Sequence, residues 1–420
     1  MHKTTYRKTV LENGLTIVSE HIPYVRSVSI GVWIRTGTRH ETSESNGVAH
    51  FLEHMMFKST GQRSAREIVR QIESLGGNIN AFTSKEQTCF HVEMLDEHLP
   101  IAIDVLSDIL FRTGFSAAEF EKERAVILDE IKALQDTPDE IIHDYFAEKL
   151  YPDHGLGYPV LGTVETVSAL TPAQMLSFYQ QFYRSRNSVI AVSGNVKHAE
   201  LVDLCASAFR FSNGSPTAAP APPTAFNHGN YSFRRAINQA HLCLGFPGIP
   251  YQHPRKYDLL LLNTILGGGM GSRLFQNIRE KHGIAYGIYS FLDFYVDSGL
   301  MAVYLGTDPK NFDKAQRLIH DELNRLTREN VTRQELTDAK SHLKGNLVLG
   351  LESSVARMNR LAIMEIYLNE FLPIDTIMQR VDDVTRESLS DTARQVFSDE
   401  KLLNVSLVPS NSFEIEKTCS

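Results

Sequence analysis

Residues 212–229 read Ser-Asn-Gly-Ser-Pro-Thr-Ala-Ala-Pro-Ala-Pro-Pro-Thr-Ala-Phe-Asn-His-Gly, a stretch rich in proline and poor in residues that build a core. Proline removes backbone donors and interrupts helices and sheets alike, so the segment predicts a linker. It divides a 420-residue chain into halves of similar length. That length exceeds what a single core usually serves, and the expected organisation is a domain over 1–211, a linker over 212–229 and a domain over 230–420. A content of 42% hydrophobic and 22% charged residues supplies core enough for both. Each half pairs apolar strands with helices. Ser27-Val-Ser-Ile-Gly-Val-Trp-Ile34 precedes one helix, and Ala240-His-Leu-Cys-Leu-Gly-Phe246 precedes another around Leu259 to Leu266. Direct identity between the halves is slight, and the residues alone do not establish a duplication.

The first half carries the run Val48-Ala-His-Phe-Leu-Glu-His-Met-Met56. H-x-x-E-H is a sparse pattern that reads as the zinc-binding helix of a peptidase. On a helix, positions i and i+4 share a face, so His50 and His54 can reach one ion while Glu53 stays close to it. The alternative is a histidine pair on the surface of an amphipathic helix. Against it stand Val48, Phe51, Leu52, Met55, Met56 and Phe57, which make the segment apolar. Ionisable groups half buried in such surroundings need partners, and a metal serves all three.

A site of this kind needs another ligand. Ser116 with Glu119 has the form of a capping box, and Phe120, Val126, Ile127, Ile131 and Leu134 make an apolar stripe, which predicts a helix from Ser116 to Leu134. Glu123 and Glu130 lie seven residues apart, two turns along one side, whereas Glu119, Glu121 and Asp129 read as a solvated face. Ser64-Ala-Arg-Glu67 opens a further helix that closes at Gly76-Gly77, and Cys89 to Leu95 alternates as a strand.

With these segments in view, the chain resembles the M16 (pitrilysin/insulinase) metallopeptidases. The likeness is carried by His50-Phe-Leu-Glu-His-Met-Met-Phe-Lys-Ser-Thr60, Asn78-Ile-Asn-Ala-Phe-Thr-Ser-Lys-Glu-Gln87 and Glu123-Arg-Ala-Val-Ile-Leu-Asp-Glu130. It is nearest to the bacterial half-length members related to the mitochondrial processing peptidase beta subunit. The resemblance implies His50, His54 and Glu130 as Zn(2+) ligands, Glu53 as general base and Glu123 as a second acidic residue orienting the site. It also implies two homologous α+β domains, each a mostly antiparallel sheet packed with helices, with the metal site only in the N-terminal one. Asn80, Ala81 and Phe82 would lie on an edge strand to which a substrate peptide adds as a further strand. In the C-terminal half, Arg279 and Tyr286 match the family's Arg and Tyr seven residues apart. Arg279 would hold substrate carbonyls, and the Tyr286 hydroxyl would donate to the developing oxyanion. Full-length relatives enclose a chamber with four domains, so a two-domain chain is expected to form a homodimer in which Arg279 and Tyr286 reach the partner's metal.

The chemistry suits peptide hydrolysis, since two imidazoles and one carboxylate leave a fourth zinc position open. Alternatives within reach are a non-catalytic core or processing subunit of the same fold, or a zinc hydrolase of a non-peptide amide. The glycine run Gly267–Gly271 lacks both the G-K-[ST] and the G-x-G-x-x-G patterns, so it reads as a helix break with Ser272 capping the next helix and Gly283 ending it. A net charge of -8 disfavours a nucleic-acid partner. No apolar stretch is long enough to cross a bilayer, and Cys89, Cys205, Cys243 and Cys419 show no C-x-x-C spacing. Thiols in a reducing compartment, and hence a cytoplasmic protein, are expected.

Overall fold

The computed structural model describes residues 5–216 and 220–410, so Cys419 lies outside the described residues. Val28, Ile30, Val32 and Ile34 alternate with Ser29, Gly31 and Trp33 along one strand, and both sets are buried. A strand covered on both faces carries no polar alternation, which is why this segment is apolar nearly throughout. It sits inside a six-stranded sheet made of β1 (Thr5–Val10), β2 (Thr16–His21), β3 (Ser27–Ile34), β4 (Asn78–Thr83), β5 (Thr88–Leu95) and β6 (Ser188–Gly194). The order is β1-β2-β6-β3-β5-β4. All neighbours are antiparallel except β2 and β6.

The second sheet contains β7 (Gly229–Arg235), β8 (Ala240–Pro247), β9 (Ala285–Phe294), β10 (Gly299–Thr307) and β11 (Leu403–Pro409), in the order β7-β11-β8-β10-β9. Its single parallel pair is β7 with β11. Leaving β1 aside, each sheet runs first strand, last, second, fourth, third, with the parallel pair in the same place. Topology therefore shows the duplication that residue identity conceals. Both domains are α+β.

Helices α1 (Val48–Met56), α2 (Ala65–Glu73), α3 (Leu99–Phe111) and α4 (Ala117–Gln135) belong to the first unit. Its main core brings Phe51 and Leu52 of α1, Ile103 and Leu106 of α3, and Phe120 and Ile127 of α4 together with Val28, Ile30, Val32 and Phe90 of the sheet. The Ser64–Glu67 capping box opens α2, which ends at Glu73 ahead of Gly76 with φ 75°.

The compact units are not contiguous as 1–211 and 230–420 would be. One comprises residues 1–132, 158–221 and 348–372, the other 133–157, 222–347 and 373–420. The helix Ser354–Leu368, from the second half, places Met358, Leu361 and Ala362 against Val18, Trp33, Cys89, Val189 and Ala191, covering the face of the first sheet that α1 and α3 leave open. In the second unit α5 (Pro138–Leu150), from the first half, packs Ile141, Ile142 and Phe146 onto Cys243, Ala302, Val405 and Leu407. Both sheet faces are apolar, so each must be covered, and the covering helix need not be local in the chain.

Several local expectations need correction. Val126 is 46% exposed and lies outside the buried stripe of α4. Glu119 is not a solvated group, because its carboxylate accepts from the Ser59 hydroxyl at 2.7 and 2.8 Å and from the Ser59 amide at 3.2 Å. Ser272 caps only through its backbone oxygen, which accepts from Gln276 N at 3.0 Å, while its buried hydroxyl has no hydrogen-bond partner. Cys89, Cys205 and Cys243 are free and buried. Among the described residues no helix is long and apolar enough to cross a membrane.

Candidate metal centre

The chain turns into α1 at Gly47, where φ is 94° and a Cβ would meet Leu161 O at 2.9 Å. Only glycine fits that combination without strain. No side chain at the N-cap position caps this helix. Glu41, buried and six residues upstream of Gly47, does so instead: Oε2 accepts from Gly47 N at 2.9 Å and Asn46 Nδ2 at 2.8 Å, and Oε1 accepts from Ala49 N at 2.8 Å. Burial pushes its carboxyl up to about 7 despite the three donors that oppose the shift. Truncation would strand those donors without an acceptor. Glu41→Ala is therefore expected to cost about 2–4 kcal/mol in denaturant unfolding, far above a surface change.

Val48, Ala49, Phe51, Leu52, Met55 and Met56 anchor α1 in the core, which turns His50, Glu53 and His54 toward its partly open side. Phe51 stacks on Phe120 of α4 with ring centroids 4.3 Å apart, tying together the helices that carry His50, His54 and Glu130. Arg124 steadies α4 from another side. Its guanidinium donates to Val167 O, to Ser168 O at 3.0 Å and to Leu170 O at 2.8 Å, the free carbonyls at the end of the helix Val164–Ala169.

That packing brings three donors together. His50 Nε2 lies 3.1 Å from His54 Nε2, and Glu130 Oε2 lies 3.7 Å from His54 Nε2 and 4.0 Å from His50 Nε2. All three ligand atoms fall within 4.8 Å of one another, the one such group of His, Cys, Asp or Glu among the described residues. Tetrahedral zinc with bonds of roughly 2.0–2.1 Å would separate its donors by about 3.4 Å, so the spacing fits a small divalent ion.

Glu123 Oε1 sits 2.8 Å from His54 Nδ1 while its Oε2 is 2.6 Å from Lys58 Nζ. This fixes the proton of His54 on Nδ1 and leaves Nε2 as a lone-pair donor. Burial works against charging His54, but the Glu123 bond and the nearby Glu130, Glu123 and Glu53 carboxylates outweigh it and raise its pKa. His50 moves the other way, down to about 3, through burial and then the His54 charge. Burial acts on Glu123 too, yet His54 and Lys58 hold it below the ordinary carboxylate range. Glu53 is raised by burial, with the Thr83 hydroxyl donating to its Oε2 and opposing the shift.

Asn80, Ala81 and Phe82 lie on β4, the edge strand, paired only with β5. Asn80 Oδ1 accepts from Ala81 N at 2.8 Å, and Phe82 is 39% exposed. Arg279 and Tyr286 belong to the other unit. Arg279, exposed on the helical turn Phe275–Lys281, lies over the Phe275 ring at 4.9 Å, and Tyr286 on β9 is 59% exposed. Three contributors escaped the reading of the sequence: Glu41, Lys58 and Thr83. Lys58 was findable, standing four residues after His54 and just beyond the end of α1.

Residues 16–164 match the family described as Insulinase (Peptidase family M16), and residues 169–343 match the Peptidase M16 inactive domain. The uncharacterized zinc protease YmxG of Bacillus subtilis is 41% identical over 94% of this chain and 97% of its own length. An uncharacterized zinc protease of Streptomyces coelicolor is 40% identical, over 96% of this chain and 89% of its own. Among solved structures, a protease from Helicobacter pylori superposes with a TM-score of 0.91 at 23% identity, covering 97% of this chain and 100% of that one. Complex III2 from Candida albicans contains a chain with a TM-score of 0.85 at 18% identity, covering 96% of this chain and 95% of that one. The architecture is thus shared well beyond recognisable sequence, and the identities to the bacterial relatives place this chain within peptidase family M16, the insulinase family.

Proposed function

We propose that the chain is a zinc-dependent metalloendopeptidase that hydrolyses unstructured peptides. The observation that carries this reading is the convergence of His50, His54 and Glu130 beside a half-buried Glu53 whose carboxyl is raised by burial. Zinc in this donor set, when bound, supplies Lewis acidity toward water and toward a peptide carbonyl. His50, His54 and Glu130 would hold the ion, and Glu123 keeps His54 in the tautomer that leaves Nε2 free to ligate. Glu53 takes the proton lost by the attacking water and returns it to the departing amine. The open edge of β4 offers backbone groups to an extended peptide, a mode that selects conformation over side-chain identity. Cleavage of a quenched unstructured peptide should vanish on chelation and return with added zinc. Activity that survives complete removal of the metal would refute the reading.

The working form proposed is a homodimer enclosing a chamber, with Arg279 and Tyr286 of one copy facing the metal of the other. In its favour, both side chains are exposed, and among the described residues no hydrogen bond or ion pair engages either side chain. Co-expressing a Glu53→Gln chain with a Tyr286→Phe chain gives a direct check. Random pairing should restore about a quarter of native activity, because half the dimers then carry one complete site of two. Activity no higher than the parents would rule out shared sites. The free buried thiols suit a reducing compartment, and we assign the protein to the cytoplasm on that ground.

A further inference from the structure

Thr83 is the last residue of β4, opposite Thr88 in the register with β5. Its hydroxyl donates to Glu53 Oε2, joining the proposed peptide-binding strand to the proposed base. The bond is held from both ends. On the Glu53 side, α1 is fixed by its buried apolar face and by the Glu41 cap. On the Thr83 side, the β4–β5 turn is closed by Ser84 N donating to Gln87 O at 2.8 Å, with Ser84 Oγ reaching the same oxygen at 3.0 Å. The preceding loop clasps that turn: Arg39 N donates to Lys85 O at 2.8 Å, the Arg39 guanidinium pairs with Glu86 at 2.7 Å, and the Lys85 ammonium donates to Tyr158 O. Approach is so close at Gly37 that a Cβ would lie 2.0 Å from Ser84 O. Thr83 thus presents a donor whose backbone cannot drift.

A half-buried carboxylate with one hydrogen bond has two inequivalent oxygens. Oε2 is occupied by Thr83, whereas no hydrogen bond engages Oε1 among the described residues. A β-branched side chain adds to the effect, because threonine is stiff about χ1 and holds its hydroxyl in one direction.

We propose that Thr83 is a positioning residue for the base: its hydroxyl fixes Glu53 Oε2 and leaves Oε1 as the atom that accepts the proton of the attacking water. This rests on Glu53 being the base. Rotation of the carboxylate would otherwise spread Oε1 over several orientations, and proton transfer depends steeply on heavy-atom reach. The cost should fall on kcat, since Thr83 donates inward to Glu53 and its hydroxyl is not needed for strand addition at the outer edge of β4.

The test uses the zinc-loaded full chain on a quenched peptide, comparing Thr83→Val, Thr83→Ser and Glu53→Gln. Thr83→Val keeps the shape and removes the donor; it should lower kcat roughly tenfold or more with KM within about twofold. Thr83→Ser restores the donor and should recover most of the lost rate. Zinc affinity should stay within about twofold in both, since neither touches a ligand. In the metal-free protein, the Glu53 carboxyl NMR signal should move in Thr83→Val and return in Thr83→Ser. Native kcat in Thr83→Val, with Glu53→Gln inactive, overturns the positioning role and leaves the base assignment standing. Equal losses in the Val and Ser variants overturn it as well. An active Glu53→Gln chain instead removes the reading on which the inference depends.

Discussion

Replacing Glu53 with Gln should abolish peptide hydrolysis, lowering kcat by roughly 10²–10⁴-fold, while zinc remains bound. The amide matches the carboxylate in shape and still offers an oxygen to the Thr83 hydroxyl, so α1 and the β4 terminus keep their places. What it cannot do is accept a proton. None of the proposed metal donors, His50, His54 and Glu130, is altered. Burial raises the carboxyl of the native residue, which makes it a stronger base toward water than a solvated glutamate. Three measurements settle the matter together: kcat on a quenched peptide, zinc content and melting temperature. Unchanged kcat would remove Glu53 from the mechanism, and loss of zinc would mean that it is a ligand or a support for one.

Zinc affinity should fall as pH drops through and below the raised pKa of His54, by about tenfold per unit, corresponding to one displaced proton. Binding needs the His54 Nε2 lone pair, and the carboxylates of Glu123, Glu130 and Glu53 favour the protonated ring in the metal-free protein. His50, held down at about 3 by burial, brings no proton to compete near neutrality. Isothermal titration in buffers of different ionisation enthalpy would count the protons released; a count near two would contradict the asymmetry of the pair. Glu123→Gln should weaken binding roughly 10–100-fold by freeing the imidazole it orients. Stability without metal follows the same pair. Glu123 is held low, so its contribution is present above the ordinary carboxylate range and lost as pH falls through its depressed value. His54 is held above the ordinary 6.5, so its contribution is present below 6.5 and lost as pH rises through its raised value. The metal-free protein should therefore gain most from the pair between those two limits. Zinc at a hundred times its Kd adds about 2.7 kcal/mol on top, visible as a rise in melting temperature.

Particular residues show how far the sequence could be read. His50, Glu53 and His54 are legible because their relation is helical, and the apolar residues between them declare which face is buried. Glu130 required more: it stands on another helix, and nothing in its own neighbourhood separates it from Asp129, which is exposed and pairs with Lys132 at 2.9 Å. Family resemblance singled it out, and the stacking of Phe51 on Phe120 explains how it arrives. Glu41 was passed over because a carboxylate nine residues before His50 has no periodic relation to α1; its role appears only once Gly47 turns the chain back over it. The sheet that each covering helix packs on was not legible for a similar reason. Apolar faces on the segments 138–150 and 354–368 announce that each is buried, but the partner sheet is chosen by shape and volume.

Local composition and period thus marked Ser27–Ile34 and Cys89–Leu95 as strands, Val48–Met56 as a helix and the two imidazoles as facing one way, since these depend on neighbours within a few turns of chain. Tertiary structure alone decided the rest. Which carboxylate caps α1, which hydroxyl reaches Glu53 and which half lends a helix to the other sheet all involve groups distant in sequence. Such contacts are products of how the apolar faces pack against one another, and packing has no period to read.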